Sequence, residues 1–387
     1  MGTAIKLFRS NIRQYGMFIA LILIMLLFQF LSDGILLKPL NITNLILQNS
    51  YILILAIGML LVIITGHIDL SVGSIAAFVG AVSAIMMVNH SMSFPIAMVL
   101  SLLIGAAIGA WQGFWVAYVR IPSFIVTLAG MLLFRGLTML VLDGKSVAPF
   151  PDEFRSISTG FIPDISGGGG IHLLTLLIGV LLSLVYIFME WRGRLIQNRY
   201  SFEALPLPFF LGKLAAVVVI INLFTYILAS YKGLPNILIM LFILVAVYTF
   251  VMRKTIMGRH IYALGGNEKA AKLSGVKTKK MTFWVFVNMG VLSALAGLVF
   301  AARLNAATPK AGVNFELDAI AAAFIGGASA TGGVGTVIGA IIGGLVMGVM
   351  NNGMSLIGLG IDYQQGIKGL VLLLAVAFDL YNKNKST

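Results

Sequence analysis

The chain has 387 residues, of which 59% are apolar and 10% charged, with a net charge of +13 and a mean hydropathy of +1.02. Soluble domains carry about 25% charged residues, so this composition excludes a soluble enzyme, a disordered chain and a nucleic-acid-binding domain. It fits a polytopic membrane protein, and at about 20 apolar residues per spanning helix the apolar content fills roughly ten to twelve spans.

The N-terminus carries Lys6, Arg9 and Arg13 ahead of an apolar run with no clean cleavage site, so the first span, 17–37, reads as retained rather than as a signal peptide. Charge-free apolar runs place the next spans at 45–65, 71–89 and 95–118, and a fifth at 123–142 with Arg135 inside it. Pro149, Pro151, Pro163 and the run Gly167–Gly170 mark a polar loop with room for a short surface helix. Spans follow at 172–189, 209–230 and 235–252, then a basic segment, 253–281, and a span at 282–303. After a polar stretch, 304–318, the last apolar runs are 319–331, 334–356 and 363–380. The 319–331 run is short, and it either crosses or re-enters.

Cytoplasmic loops collect Lys and Arg. With twelve spans and a cytoplasmic N-terminus, 17 positive residues fall in cytoplasmic segments and 5 (Lys38, Lys145, Arg155, Lys232, Lys310) in outer loops. Arg135, Lys213, Arg303 and Lys368 lie within or beside spans. If 319–331 did not cross, Lys383 and Lys385 would lie outside, so twelve crossings with both termini inside is the expected topology of an all-α transmembrane bundle.

Gly105, Gly109 and Gly113 recur every four residues, as do Gly335, Gly339 and Gly343. Small residues at that spacing let helices approach closely in lipid, so these read as packing positions. Polar groups at membrane depth are expensive and are functional candidates. His67 and Asp69, within Gly66-His67-Ile68-Asp69-Leu70-Ser71, either form a gate or substrate contact, or Asp69 or Ser71 caps the helix starting near Val72. Arg135 either lines a water-filled path or pairs with a carboxylate. Asn351 and Asn352 either bond sugar hydroxyls or join two helices. Lys368 reads as snorkelling to an interface.

No enzyme constellation stands out. Gly144-Lys145-Ser146 lacks the upstream glycine of a phosphate-binding loop, because position 139 is Met. No cysteine is present, which removes thiolate chemistry and cysteine metal sites, and no metal site is expected. A primary energy source must come from a partner.

In the basic segment, Glu268 to Leu273 are good helix formers, with Gly265-Gly266 before them, Gly275 after them and Asn267 as N-cap. Such a helix either rests on anionic lipid or docks into another protein. The run Gly258-Arg259-His260-Ile261-Tyr262-Ala263-Leu264-Gly265-Gly266-Asn267-Glu268, with Ala270-Ala271 and Leu273-Ser274-Gly275, resembles the coupling signature of bacterial sugar ABC-importer permeases of the ribose, galactose and xylose type. Asp69-Leu70-Ser71-Val72-Gly73-Ser74, then Gly326-Gly327-Ala328-Ser329 continuing to Gly332-Gly333-Val334-Gly335-Thr336, and Asn351-Asn352-Gly353 match three further motifs in order, over nearly the whole chain. His67 stands where relatives often have a second glycine, and a hairpin near 190–235 makes the chain similar to the longer xylose and multiple-monosaccharide forms.

The resemblance implies a single permease domain over 1–387 in the bacterial cell membrane, with 253–281 as its coupling segment. It implies a second permease copy as a homodimer, cytoplasmic ATP-binding subunits that use ATP and Mg, and an extracytoplasmic sugar-binding protein, with no cofactor on this chain. It assigns Gly258, Arg259, Ala263, Gly265, Gly266, Asn267, Glu268, Ala271, Ser274 and Gly275 to coupling. Asp69, Arg135, Asn351 and Asn352 remain path candidates by cost and polarity. A permease of the same family for nucleosides or a signalling molecule is the alternative. An ion-coupled secondary transporter, which needs paired acids at mid-membrane, fits less well, because Asp69 is nearly alone at depth in the expected topology.

Overall fold

Lipid offers the backbone no hydrogen-bond partners, so a spanning segment must satisfy its own N–H and C=O groups, and long apolar runs become helices. The computed structural model describes residues 12–165, 170–200 and 205–384. Lys6, Arg9, Lys385, Gly167–Gly169 and the side chains of Arg13 and Lys383 lie outside that description. In chain order the helices are α1 (Ile12–Leu31), α2 (Pro39–Ile64), α3 (Val72–Ala84, extended by a π-turn Ile85–Asn89), α4 (Phe94–Phe114, extended by a π-turn Trp115–Val119) and α5 (Ser123–Val141). Then come the surface helix α6 (Asp152–Thr159), α7 (Leu173–Arg199), α8 (Leu207–Ala229), α9 (Asn236–Lys254), α10 (Ile256–Gly266) and α11 (Glu268–Leu273). The chain ends with α12 (Thr278–Leu304), α13 (Phe315–Ile325), α14 (Val337–Leu356) and α15 (Ile361–Asn384). Among the described residues, β pairing is limited to two isolated bridges, Val147 with Ala307 and Phe161 with Pro235.

Nine of these helices are long and apolar enough to cross a membrane: α2, α3 and α4 with their π-turns, α5, α7, α8, α9, α12 and α14. α1, α15 and the short α13 stand beside these nine, in the places of the other three expected passes. α13 has 11 residues, about 16 Å of helix, half a bilayer core. The stretch before it, 305–314, is mostly turns. Ala307 still pairs with Val147 at one end of the bundle, Gly312 then lies against Gly73 at the start of α3, and beyond α13 the Gly333 N–H reaches the Ile64 carbonyl at the other end of α2. The segment 307–333 therefore runs from one end of the bundle toward the other.

Several boundaries differ from the hydropathy reading, each for a local reason. The first span stops at Leu31, because Asp33 (φ 51°) and Gly34 (φ 81°) turn the chain. Pro39 at the first helical turn starts α2 six residues before 45. α7 runs on through Glu190 to Arg199, where charged side chains can reach water at the helix end. α13 begins at Phe315, so Glu316 and Asp318 belong to a buried helical turn and not to a polar outer loop.

α2 is the axis of the bundle, with 89% of its spanning window buried, whereas α8 is 6% buried and faces outward. α2 packs with α12 and α14 in the largest apolar core. Close approach between helices is set by glycine. A Cβ on Gly105 would sit 2.6 Å from the Gly290 carbonyl oxygen of α12, and one on Gly113 would sit 2.9 Å from that of Phe283. A Cβ on Gly109 would collide with the Phe286 carbonyl. Gly339 and Gly343 meet the carbonyls of Gly326 and Ala322 in the same way. Gly335 departs from the expected repeat: it lies before α14, in the connecting loop, against Leu60.

Substituting Gly109→Ala is expected to lower stability by about 1–3 kcal/mol, the range for overpacking a tight contact. Gly212→Ala, where nothing lies within 4 Å, is expected to stay within about 0.5 kcal/mol of the parent. Thermal unfolding of the two purified variants in one detergent makes the comparison.

Candidate functional site

Two places gather the residues singled out by sequence: the junction beneath α10 and α11, and the polar groups around α13.

At the junction, α10 is an amphipathic helix whose N-cap Thr255 accepts from Gly258 N–H. It buries Ile261 and Leu264 and ends at Gly265-Gly266, and α11 follows directly. Asn267 caps α11, its Oδ1 accepting from Ala270 N–H at 3.0 Å. The short helix expected from sequence is thus present at Glu268–Leu273, but the glycines before it close a second helix that the sequence reading missed. The reason is tertiary. Gly265 is packed so closely on the end of α2 that a Cβ there would collide with the Ile64 carbonyl oxygen. Gly333 donates to the same oxygen at 2.8 Å, and Tyr262 Oη donates to the Gly335 carbonyl at 2.8 Å. The coupling candidates thereby divide. Gly258 and Ala271 are buried and Gly265 half-buried, while Arg259, Ala263, Gly266, Asn267, Glu268, Ser274 and Gly275 are exposed. Leu273, not selected from sequence, is 91% exposed beside them. A lone leucine on a basic helix gives no periodic signal.

His67 lies under this junction. Its ring sits 5.9 Å from that of Phe286. Burial pushes its pKa below the ordinary imidazole value, and the nearby Glu268 carboxylate offsets part of that.

The second group lies deeper. Asp69 is 1% exposed; its Oδ1 accepts from the backbone N–H and the hydroxyl of Ser71 at 2.8 and 2.5 Å, which fixes the turn into α3, while Oδ2 has no partner. Gln112 of α4 donates to Ser71 Oγ at 2.7 Å. Arg135 on α5 carries a buried Nη2 with no partner and makes no ion pair among the described residues, though its charge acts on Glu316. Asp318 pairs with Lys368 of α15 at 3.1 Å and lies beside Asn351. Lys368 therefore turns inward to Asp318 instead of snorkelling to an interface. The two asparagines part ways. Asn352 exchanges hydrogen bonds with Asn41 of α2 at 2.9 and 3.1 Å, joining two helices, whereas Asn351 faces Asp318 and keeps an unpartnered Oδ1. Sequence reasoning missed Glu316 and Asp318, and with them Asp69 is no longer nearly alone at depth. Acids in the first turn of a helix were the available signal.

A family model described as branched-chain amino acid transport system / permease component matches residues 41–376. The xylose transport system permease protein XylH of Haemophilus influenzae is 41% identical over 384 residues, covering 98% of this chain and 99% of that protein. The protein of the same name from Escherichia coli is 39% identical over 376 residues, 97% of this chain and 94% of that one. The ribose import permease protein RbsC of Escherichia coli is 37% identical over 341 residues, 88% of this chain and 85% of that one. No solved structure matches.

His67 gives a pH prediction. Its folded pKa is lowered, so as pH falls the unfolded chain takes up the proton first, near the ordinary value of about 6.5. The stability contributed by neutral His67 is complete above that pH and declines as pH drops below it. His67→Gln is expected to lose less thermal stability than the parent between about pH 7.5 and about pH 5.5, as read by melting curves at both.

Proposed function

The chain belongs to the branched-chain amino acid transport system / permease component family, and from that premise we propose that it is the membrane subunit of an ATP-driven importer for a monosaccharide. It is a multi-pass membrane permease, and its transported sugar on this reading is a pentose, with xylose first. The observation that carries the sugar is the 41% identity to a xylose permease across practically the full length of both chains. A second copy of the chain completes the path, a sugar-binding protein delivers the substrate, and ATP-binding subunits with their own Mg supply the energy.

In this reading the exposed face of α10 and α11 is where an ATP-binding subunit docks. Leu273 projects as an apolar knob at the end of α11, the helix that carries Glu268 and Lys272. A push there is passed to the core by backbone contact. Gly265 bears on the end of α2, and Gly333 ties the loop between α13 and α14 to the same carbonyl. Two-state rocking of the bundle then follows from ATP binding that favours one state. The path candidates are Asp69, Arg135 and Asn351, each with an unpartnered polar atom; Asn352 spends its amide on Asn41.

Uptake into proteoliposomes holding the permease, its ATPase and its binding protein tests the substrate. ATP-dependent uptake of xylose faster than of ribose or a nucleoside is expected, and nucleoside uptake in preference to both sugars would overturn the sugar. For coupling, Leu273→Asp leaves the fold intact and is expected to weaken ATPase-subunit binding. Glu268→Gln and Gly265→Ala are expected to reduce sugar-stimulated ATPase by about tenfold, within the usual range of allosteric coupling. Unchanged binding and unchanged stimulation in all three would remove this face from the coupling role.

A further inference from the structure

The hairpin of α7 and α8 stands away from the core, with 17% and 6% of its spanning windows buried, and it contains a cavity that the transport reading does not use. The cavity measures about 410 Å³ and is lined by Tyr186, Glu190, Arg194, Gln197, Phe210 and Lys213, among others. It lies toward the end of α7 and the start of α8. That end of the pair is on the same side of the bundle as α10 and α11, since α7 starts at the opposite side, where His172 N–H bonds the Ala229 carbonyl and its ring packs on Gly233.

The charges in it are arranged unequally. Glu190 and Lys213 pair at 2.9 Å and offset one another. Arg194 has no carboxylate partner among the described residues. Its Nη1 donates to the Leu205 carbonyl at 2.8 Å and its guanidinium lies 4.6 Å from the centre of the buried Phe210 ring. Trp191 braces that ring at 6.1 Å. A guanidinium held by a carbonyl and an aromatic face keeps several N–H donors free in a fixed orientation, the arrangement suited to phosphate. Met189, which lines the cavity, is 66% exposed, and the outward faces of α7 and α8 are apolar, with Leu181 60% and Val219 63% exposed.

A ligand for this place needs an anionic, hydrogen-bond-accepting head and long apolar tails. Free phosphate would meet Arg194 but leave the apolar flanks bare, whereas a membrane supplies the amphiphile at high local concentration. Basic pockets between helices on the cytoplasmic side are suited to anionic headgroups. We propose that this cavity binds an anionic phospholipid, with Arg194 anchoring the phosphate and the acyl chains lying along α7 and α8.

Native mass spectrometry of the purified full-length permease, titrated with phosphatidylglycerol and with phosphatidylcholine, tests this. The parent is expected to prefer phosphatidylglycerol by about fivefold, the size of one basic residue's contribution near a membrane. Arg194→Ala is expected to bring the two lipids to parity, and Arg192→Ala, an exposed arginine outside the cavity, to keep the preference. Arg194→Gln retains the stem over Phe210 and guards against a folding defect: a monodisperse Arg194→Gln permease at parity supports the site. A preference that survives both Arg194 variants, or that Arg192→Ala abolishes equally, overturns it. Complete displacement of phosphatidylglycerol by excess inorganic phosphate would mark a free-anion site and overturn the lipid assignment.

Discussion

The carbonyl oxygen of Ile64 is the point on which the rest of the molecule is assembled. It ends the most buried helix, accepts a hydrogen bond from Gly333 at 2.8 Å, and is approached by Gly265 too closely for any side chain. Three segments distant in sequence thus meet through backbone atoms alone. Backbone contacts of this kind cannot be relieved by a rotamer change, so displacement of α10 must displace α2 or the loop before α14. That stiffness suits the coupling role proposed above, and the close approach explains why glycine stands at 265 and 333.

α13 is the element to which that stiffness leads. It places Glu316 and Asp318 inside the bundle, 7% and 4% exposed, where an uncompensated charge costs about 2.5–3.5 kcal/mol or more. Compensation comes from three directions: Lys368 on α15 at 3.1 Å, the field of Arg135 on α5, and the positive end of α13 itself. A short helix held by charges on two different neighbours is held in place, because a displacement that loosens one cation leaves a buried acid unmatched.

Much of this was legible in the sequence. Spans with high mean hydropathy over a full bilayer width were found because burial in lipid acts on composition. α11 was legible because its N-cap and bounding glycines are local. What failed to show depends on contacts from elsewhere in the chain. Gly265-Gly266 look like a loop, and only the approach to Ile64 reveals that they finish a helix. Glu316 and Asp318 look like surface residues until Lys368, fifty positions on, folds inward. Asn351 and Asn352 are identical in type and adjacent, yet a helical step of about 100° sends one toward Asp318 and the other toward Asn41. The charged end of α7 reads as a stop, whereas a helix end at the membrane edge can be charged throughout.

The hairpin of α7 and α8 leans on the core near His172, Gly233 and Leu228 and elsewhere faces outward. Such an outrigger shares little buried surface with the bundle. It is the region of the chain where length can be gained, trimmed or exchanged between descendants at small cost to the transport core, and so the natural place for a permease of this design to acquire sensitivity to the particular membrane it inhabits.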